Sequence, residues 1–172
     1  MKALVTLFFI LSILTPALAV EKAVFKGAGL QQLEIEAPDF TIAGKDGERI
    51  NLKGLKGGVV FLHLWATWCK PCKEEFPQIE KLYKAHKGRA VTLLPVAIDS
   101  KATQEEIDSF ARSLGASFPV YLKGDMSAKY WTWGVPTTYL IDKRGKIVGR
   151  ALGPRDWSSK DVYDLIEALL KE

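Results

Sequence analysis

Residues 59–66 form an apolar run that limits the possible folds of this chain more than any other segment. Only His63 interrupts it with a strongly polar side chain, so a strand here would be covered on both of its faces. Residues 69–87 follow almost directly and repeat apolar side chains at helical spacing, with lysines and glutamates between them. A buried strand that leads straight into an amphipathic helix predicts an α/β domain.

The rest of the chain continues this alternation of strands and helices. Thr103 and Glu106 have the spacing of a capping box, which predicts the start of a second helix. Pro95 removes one backbone donor from the apolar segment around it, which is awkward for a strand. The other predicted elements are strands over 90–98 and 118–122, a short helix over 127–133, a β-hairpin over 137–141 and 146–150, and a last helix over 157–170. This order predicts a three-layer α/β/α sandwich with a mixed sheet.

The first 19 residues have the pattern of a secretory signal peptide, with Lys2, an apolar stretch and an Ala17-Leu18-Ala19 exit. A retained membrane anchor is the alternative, because residues 3–20 carry no charge and reach the lower length limit for a spanning helix. We predict a lead-in segment over 20–36, with a short strand over 33–36, and the folded domain over 37–172. Either form of the N-terminus predicts export, to a periplasm or the outer face of the cytoplasmic membrane.

Composition fits one ordinary globular domain of 172 residues, with 48% hydrophobic and 26% charged side chains. These values argue against intrinsic disorder and against a polytopic membrane protein. The net charge of +4 is mild, and nucleic-acid binding usually involves a clustered basic face as well, so nucleic acid is not an expected partner.

The chain has two cysteines, and both lie in the segment Cys69-Lys70-Pro71-Cys72, where the predicted helix begins. Two intervening residues in a first helical turn bring the sulfurs within bonding range, and such a pair beside a βα unit is typical of redox chemistry. The helix N-terminus, with about half a positive charge, stabilises a thiolate on the first cysteine. Cys69 is therefore the predicted nucleophile, and Cys72 would resolve the mixed disulfide.

Two other interpretations of the cysteines are weaker. A structural disulfide that closes so short a loop removes little chain entropy. A zinc site that uses Cys72 and His86 lacks the second histidine that a Cys₂His₂ finger needs.

The segment around the cysteines, residues 65–77, resembles the active-site segment of the thioredoxin superfamily, and most closely its exported TlpA/ResA-like thiol-disulfide oxidoreductases. The resemblance covers the chain from about Ala37 onward. It implies a thioredoxin fold with an N-terminal β-hairpin extension, here over 39–42 and 49–52. It also implies a reductant of protein disulfides that needs no metal or nucleotide cofactor beyond the Cys69–Cys72 pair. The expected partners are client proteins, of which apocytochrome c is a typical example for this branch, and a membrane thiol reductase as electron donor.

The same resemblance implies roles for several residues around the pair. Pro136 matches the cis-proline of the superfamily, which would leave the backbone of Val135 free to pair with an extended substrate. Glu75 matches an acidic residue of the ResA-like branch that would raise thiol pKa values and relay a proton. Trp68 precedes the nucleophile and is expected to contact the substrate. Trp131 and Trp133 lie just before the Pro136 loop, with a spacing that is more typical of core residues than of a substrate groove. His63 occupies a position where relatives carry an acid or an asparagine, so its role stays open.

Two further functions use the same cysteines. A peroxiredoxin-like peroxidase would carry a threonine three residues before its cysteine, where this chain has Ala66. A copper or zinc chaperone would use Cys69 and Cys72 as thiolate ligands.

Overall fold

A computed structural model describes residues 22–44, 47, 49–126, 130 and 134–172 of the chain. The predicted signal peptide over 1–19, Trp131 and Trp133, and most of the predicted helix over 127–133 lie outside these residues. The helices are α1 (Lys22–Gly27), α2 (Lys70–His86), α3 (Gln104–Ser113) and α4 (Lys160–Lys171). The strands are β1 (Gln31–Glu36), β2 (Thr41–Ala43), β3 (Arg49–Asn51), β4 (Val59–Trp65), β5 (Val91–Ala97), β6 (Tyr121–Leu122), β7 (Thr137–Ile141) and β8 (Lys146–Leu152).

Six of the strands form one mixed sheet in the order β1-β8-β7-β4-β5-β6. The pairs β4–β5 and β5–β6 are parallel. The pairs β4–β7, β7–β8 and β8–β1 are antiparallel. β2 and β3 form a separate two-stranded sheet, which is the predicted N-terminal hairpin. The predicted α/β fold with a mixed sheet is therefore confirmed.

Side chains that alternate along β4 enter two separate apolar cores. Val59, Phe61 and Trp65 lie in the core that also receives the buried faces of the helices. Val60, Leu62 and Leu64 lie in a second core, which the β2–β3 hairpin covers. His63 follows the first set, so its side chain points to the side of the sheet that carries α2.

Local sequence explains how the helices begin. Thr103 and Glu106 form the predicted capping box, with the Thr103 hydroxyl accepting from the N3 backbone and Glu106 accepting from the N-cap backbone. Cys69 is the N-cap of α2, and its sulfur accepts a bond from the Cys72 amide. Pro71 fits the first turn because the amides there have no partner within the helix.

The segment predicted as a lead-in, residues 20–36, contributes a helix and a strand to the fold. Phe25 on α1 is buried in the helical core. β1 forms the edge of the main sheet and pairs with β8. Part of this segment is therefore packed with the residues of the predicted domain.

Two other elements differ in detail from the prediction, and a third contains the expected proline. The last helix begins at Lys160, so Trp157 precedes it. β6 contains only Tyr121 and Leu122 of the predicted 118–122. Pro95 is tolerated inside β5 because the β6 pairing involves only Val96 and Ala97. No helix in the part of the chain that the structure describes is long and apolar enough to cross a membrane.

Candidate active site

The site lies where β4 ends and α2 begins. β4 and β5 are parallel, so their carboxyl ends lie at the same edge of the sheet. Asp99 lies just beyond β5. Its carboxylate accepts hydrogen bonds from the backbone N–H of Thr67 at 3.1 Å and from the Thr67 hydroxyl at 2.6 Å. The turn that leads to the cysteines is therefore anchored to the neighbouring strand.

Cys69 and Cys72 form a disulfide, with their Cα atoms 5.3 Å apart. Cys69 is 4% exposed to solvent, whereas Cys72 is fully buried. The Cys72 backbone N–H donates to Sγ of Cys69 at 3.2 Å. A partner thiol can therefore approach Cys69 more readily, and a thiolate that forms there is met by an N–H donor at the helix N-terminus.

The carboxyl group of Glu75 is buried one helical turn beyond Cys72, on the same face of α2, with only 2% of its surface exposed. The Trp157 Nε1–H donates to its Oε1 at 2.6 Å, and the Arg155 backbone N–H donates to the same oxygen at 2.8 Å. Burial raises the pKa of Glu75 to about 7, and the two donors with the Arg155 charge oppose that rise. Glu75 can therefore gain or lose a proton near neutral pH.

His63 is fully buried beside Glu75. Its Nδ1 is 2.9 Å from the Thr138 hydroxyl, and its Nε2 is 3.8 Å from Oε2 of Glu75. Its ring stacks on Phe61, with centroids 6.0 Å apart, and meets the edge of Trp157 at 6.4 Å. Burial lowers the pKa of His63 to about 3, so the imidazole is neutral at physiological pH.

The structure describes the remaining predicted site residues. The Val135–Pro136 peptide is cis, as predicted. Pro136 is buried, Val135 is half-buried, and Trp68 is 67% exposed directly before Cys69. Lys70 is exposed and Pro71 is half-buried between the cysteines. The structure describes an exposed indole and a half-buried backbone segment, and their roles in substrate binding stay predictions.

The sequence analysis did not identify Trp157, Thr138 or Asp99 as site residues. Asp99 follows the strand that is parallel to β4, and this order alone could have placed it near the cysteines. Trp157 and Thr138 reach Glu75 and His63 through long-range packing, for which the local sequence gives no sign.

A family model described as the AhpC/TSA family matches residues 34–150. The chain belongs to this thioredoxin-like family. It is 39% identical over 128 residues to the thiol-disulfide oxidoreductase ResA of Bacillus subtilis (strain 168), an alignment that covers 73% of this chain and 70% of that protein. It is also 37% identical over 134 residues to ResA of Bacillus anthracis, covering 77% and 76% of the two chains.

Solved structures give the same result. A putative thiol:disulfide interchange protein DsbE from Chlorobium tepidum is 31% identical, with a TM-score of 0.69, and the match covers 82% of this chain and 99% of that one. StoA from Bacillus subtilis is 30% identical, with a TM-score of 0.62, covering 77% and 96%. This member of the AhpC/TSA family is therefore a thiol-disulfide oxidoreductase with a thioredoxin fold.

The arrangement of side chains also bears on the metal-binding hypotheses. Among the residues that the structure describes, no three His, Cys, Asp or Glu side chains lie together as a protein metal site would require. A chaperone site built on Cys69 and Cys72 alone would need further ligands from elsewhere.

Proposed function

We propose that this oxidoreductase is an exported reductant of protein disulfides that needs no cofactor beyond its cysteine pair. The observation that carries the proposal is the buried Glu75 carboxyl group, one turn beyond the fully buried Cys72. The signal-peptide pattern of residues 1–19 supports export. The similarity to the ResA proteins supports the thiol-disulfide chemistry.

In the reaction with a client, the thiolate of Cys69 attacks one sulfur of the client disulfide, and the other client sulfur leaves as a thiolate. Cys72 then gives its proton to the Glu75 carboxylate and attacks Sγ of Cys69. This closes the Cys69–Cys72 disulfide and releases the second client sulfur. Two electrons pass to the client, and its two thiolates take protons from water.

The return reaction runs through the same groups. A thiolate of the electron donor attacks Cys69, and Cys72 leaves as a thiolate that takes the proton of Glu75. The second donor thiol then displaces Cys69, so the donor becomes a disulfide and this protein regains its dithiol. Glu75 therefore carries a proton while the disulfide is closed and gives it up when the disulfide opens.

The direction of the reaction follows from the charge of Glu75. Oxidising members of the superfamily are strong oxidants because their reduced form is stabilised, typically through a low thiol pKa. A buried carboxylate on the same helix face disfavours a thiolate and raises thiol pKa values. The dithiol form is then less stable relative to the disulfide, which favours donation of electrons.

The proposed clients are exported proteins with disulfides, among them apocytochrome c and copper-site assembly proteins. The proposed donor is a membrane thiol reductase. We propose Trp68, which directly precedes Cys69 and is exposed, and the half-buried Val135 before the cis-proline as the peptide-binding surface. A retained N-terminal segment would add a membrane contact.

The reduction potential tests this proposal. We expect equilibration with glutathione to place the Cys69–Cys72 pair near the potential of thioredoxin, about −270 mV, and a value near that of strong oxidants, about −120 mV, would contradict the proposal. Glu75→Gln should make the potential less negative, since it removes the charge that opposes the thiolate. Glu74→Gln is the matched control, because Glu74 is the exposed neighbour on the same helix, and it should leave the potential near the native value.

A further inference from the structure

Two buried polar atoms face each other one helical turn from Cys72, and neither has a hydrogen-bond partner among the described residues. They are Nε2 of His63 and Oε2 of Glu75, separated by 3.8 Å. The two side chains are 0% and 2% exposed, so water does not replace the missing partners at the surface. Buried polar atoms are seldom left unpaired, and a pair that faces this way needs an explanation.

The other polar atoms of both side chains are already engaged. Oε1 of Glu75 accepts from Arg155 and Trp157, and Nδ1 of His63 is within 2.9 Å of the Thr138 hydroxyl. These contacts fix the carboxyl group and the imidazole ring. Each group is left with one free atom, and the two free atoms point toward one another.

A single proton between the two atoms would satisfy both of them. The ionisable groups that face Glu75 are His63 from β4, Arg155 from the segment before α4 and, after reduction, Cys72 on its own helix. Phe61 and Trp157 enclose the imidazole and keep its surroundings apolar. Burial lowers the pKa of His63 to about 3 and raises that of Glu75 to about 7, so the carboxyl group holds the proton between these values.

We propose that His63 is a positioning residue for the redox reaction, whose unprotonated Nε2 accepts a hydrogen bond from Oε2 of Glu75 and keeps that carboxyl group protonated while the disulfide is closed. The inference rests on the proposed role of Glu75. In this arrangement Nδ1–H of His63 donates to the Thr138 hydroxyl oxygen. Nε2 of His63 and Oε2 of Glu75 are 3.8 Å apart, so a closure of less than 1 Å would bring them to about 3 Å, the ordinary length of such a bond.

This arrangement prepares the proton for the return reaction. When a donor thiolate attacks Cys69, the S–S bond breaks and Cys72 leaves as a thiolate. Oε2 of Glu75 releases its proton to Cys72, and the bond to Nε2 is lost. Glu75 remains as a carboxylate and His63 remains neutral, so the charge that leaves Cys72 appears on Glu75.

The test is the pH dependence of disulfide reduction. The rate constant with dithiothreitol, divided by the concentration of its thiolate, should fall with rising pH in the native protein, with a midpoint near 7. In His63→Phe the ring still excludes water but cannot accept a proton, so the midpoint should fall by about one pH unit, the worth of one hydrogen bond. The Glu75 carboxyl ¹³C shift, followed in the same two proteins, should give the same midpoints.

The matched control is His86→Phe. Like His63, His86 is buried, with 2% of its surface exposed, and its Nε2 is 3.7 Å from a carboxylate oxygen of Glu167. Unlike His63, it lies on α2, at the end of the helix far from the cysteines. This variant should leave both midpoints unchanged. A midpoint that stays at the native value or rises in His63→Phe would overturn the inference.

A second measurement needs no variant. ¹⁵N shifts of the His63 ring in the native disulfide form should show a protonated Nδ1 and an unprotonated Nε2, and the reverse tautomer would overturn the inference. The Glu75→Gln variant distinguishes a failure of the inference about His63 from a failure of the proposed function. If the native fall near pH 7 is absent, or survives in Glu75→Gln, the role of Glu75 fails. If Glu75→Gln removes the fall and His63→Phe does not move it, only the role of His63 fails.

Discussion

α2 contributes one residue to each of two histidine–glutamate pairs, one near each end of the helix. The two pairs show how strongly the surroundings of a residue decide its chemistry. The pair of His86 and Glu167 has a separation of 3.7 Å, close to the 3.8 Å between His63 and Glu75. Arg89 reaches Glu167 and lowers its pKa, whereas burial raises the pKa of Glu75. Similar side-chain pairs thus leave the pKa of the glutamate lowered at one end and raised at the other.

Trp157→Phe should raise the pKa of Glu75 above its native value of about 7. The substitution removes an indole N–H that stabilises the carboxylate at Oε1, while the backbone N–H of Arg155 remains. We expect a rise of about one pH unit, the opposite of the effect expected for His63→Phe. The ¹³C shift of the Glu75 carboxyl group measures it.

The control for this prediction is Trp65→Phe. Trp65 is also fully buried, but its Nε1 has no hydrogen-bond partner in the described part of the chain. Its substitution should leave the Glu75 titration where it is in the native protein. An equal rise in both variants would show that loss of packing, and not loss of the donor, moves the titration.

The sequence was sufficient to predict that the two cysteines and Glu75 lie together on one helix, because their spacing along the chain is local. It was not sufficient for the state of Glu75, which depends on Trp157, 82 positions away. The partner of His63 was equally hidden, since Thr138 comes from another strand of the sheet.

The elements themselves follow the local pattern closely, and the differences have specific causes. Trp157 has the spacing of the α4 apolar face, yet it precedes the helix because the Asp156 side chain accepts both the backbone N–H and the hydroxyl of Ser158. That turn delays the helix until Lys160. The delay places the indole of Trp157 against Glu75, which a helix from residue 157 would not predict.

Asp99→Ala should destabilise the turn between β4 and α2. It removes both acceptors of Thr67, at 2.6 and 3.1 Å, and leaves a backbone N–H without its partner. We expect the free energy of unfolding in urea to fall by about 1–3 kcal/mol. Asp164→Ala, which breaks an exposed ion pair with Lys160, should cost much less, and an equal loss in both would contradict a special role for Asp99.

At the scale of the whole molecule, the contribution of residues 22–36 was the hardest part to predict. The burial pattern of β1 lacks the alternation of a half-buried strand, with only Leu33 partly covered. Its place in the sheet depends on β8, more than a hundred residues later. The alternation of Leu33, Glu34, Ile35 and Glu36 indicates a strand, but it does not identify β8 as its partner.

The stability of the whole molecule should report the proton on Glu75. Its pKa is about 7 in the folded protein and 4.5 ordinarily, so between these values the folded state binds more protons and loses stability as pH rises. His63, at about 3 in the folded protein against 6.5, acts in the opposite direction up to pH 6.5. The two contributions therefore oppose each other between pH 4.5 and 6.5.

Glu75→Gln should remove one of these two contributions. The native free energy of unfolding minus that of the variant should decrease by about 1.4 kcal/mol per pH unit between about pH 5 and 6.5. Urea unfolding across that range measures it. Glu74→Gln should run parallel to the native curve, and a Glu75→Gln curve that also runs parallel would mean that Glu75 is already ionised over this range.

The position of Trp68 has one more consequence. Its indole is 67% exposed and belongs to the residue bonded directly to Cys69. We expect the fluorescence of this indole to change when the adjacent disulfide opens or closes. The protein would then carry its own optical reporter of electron transfer, which needs no added dye.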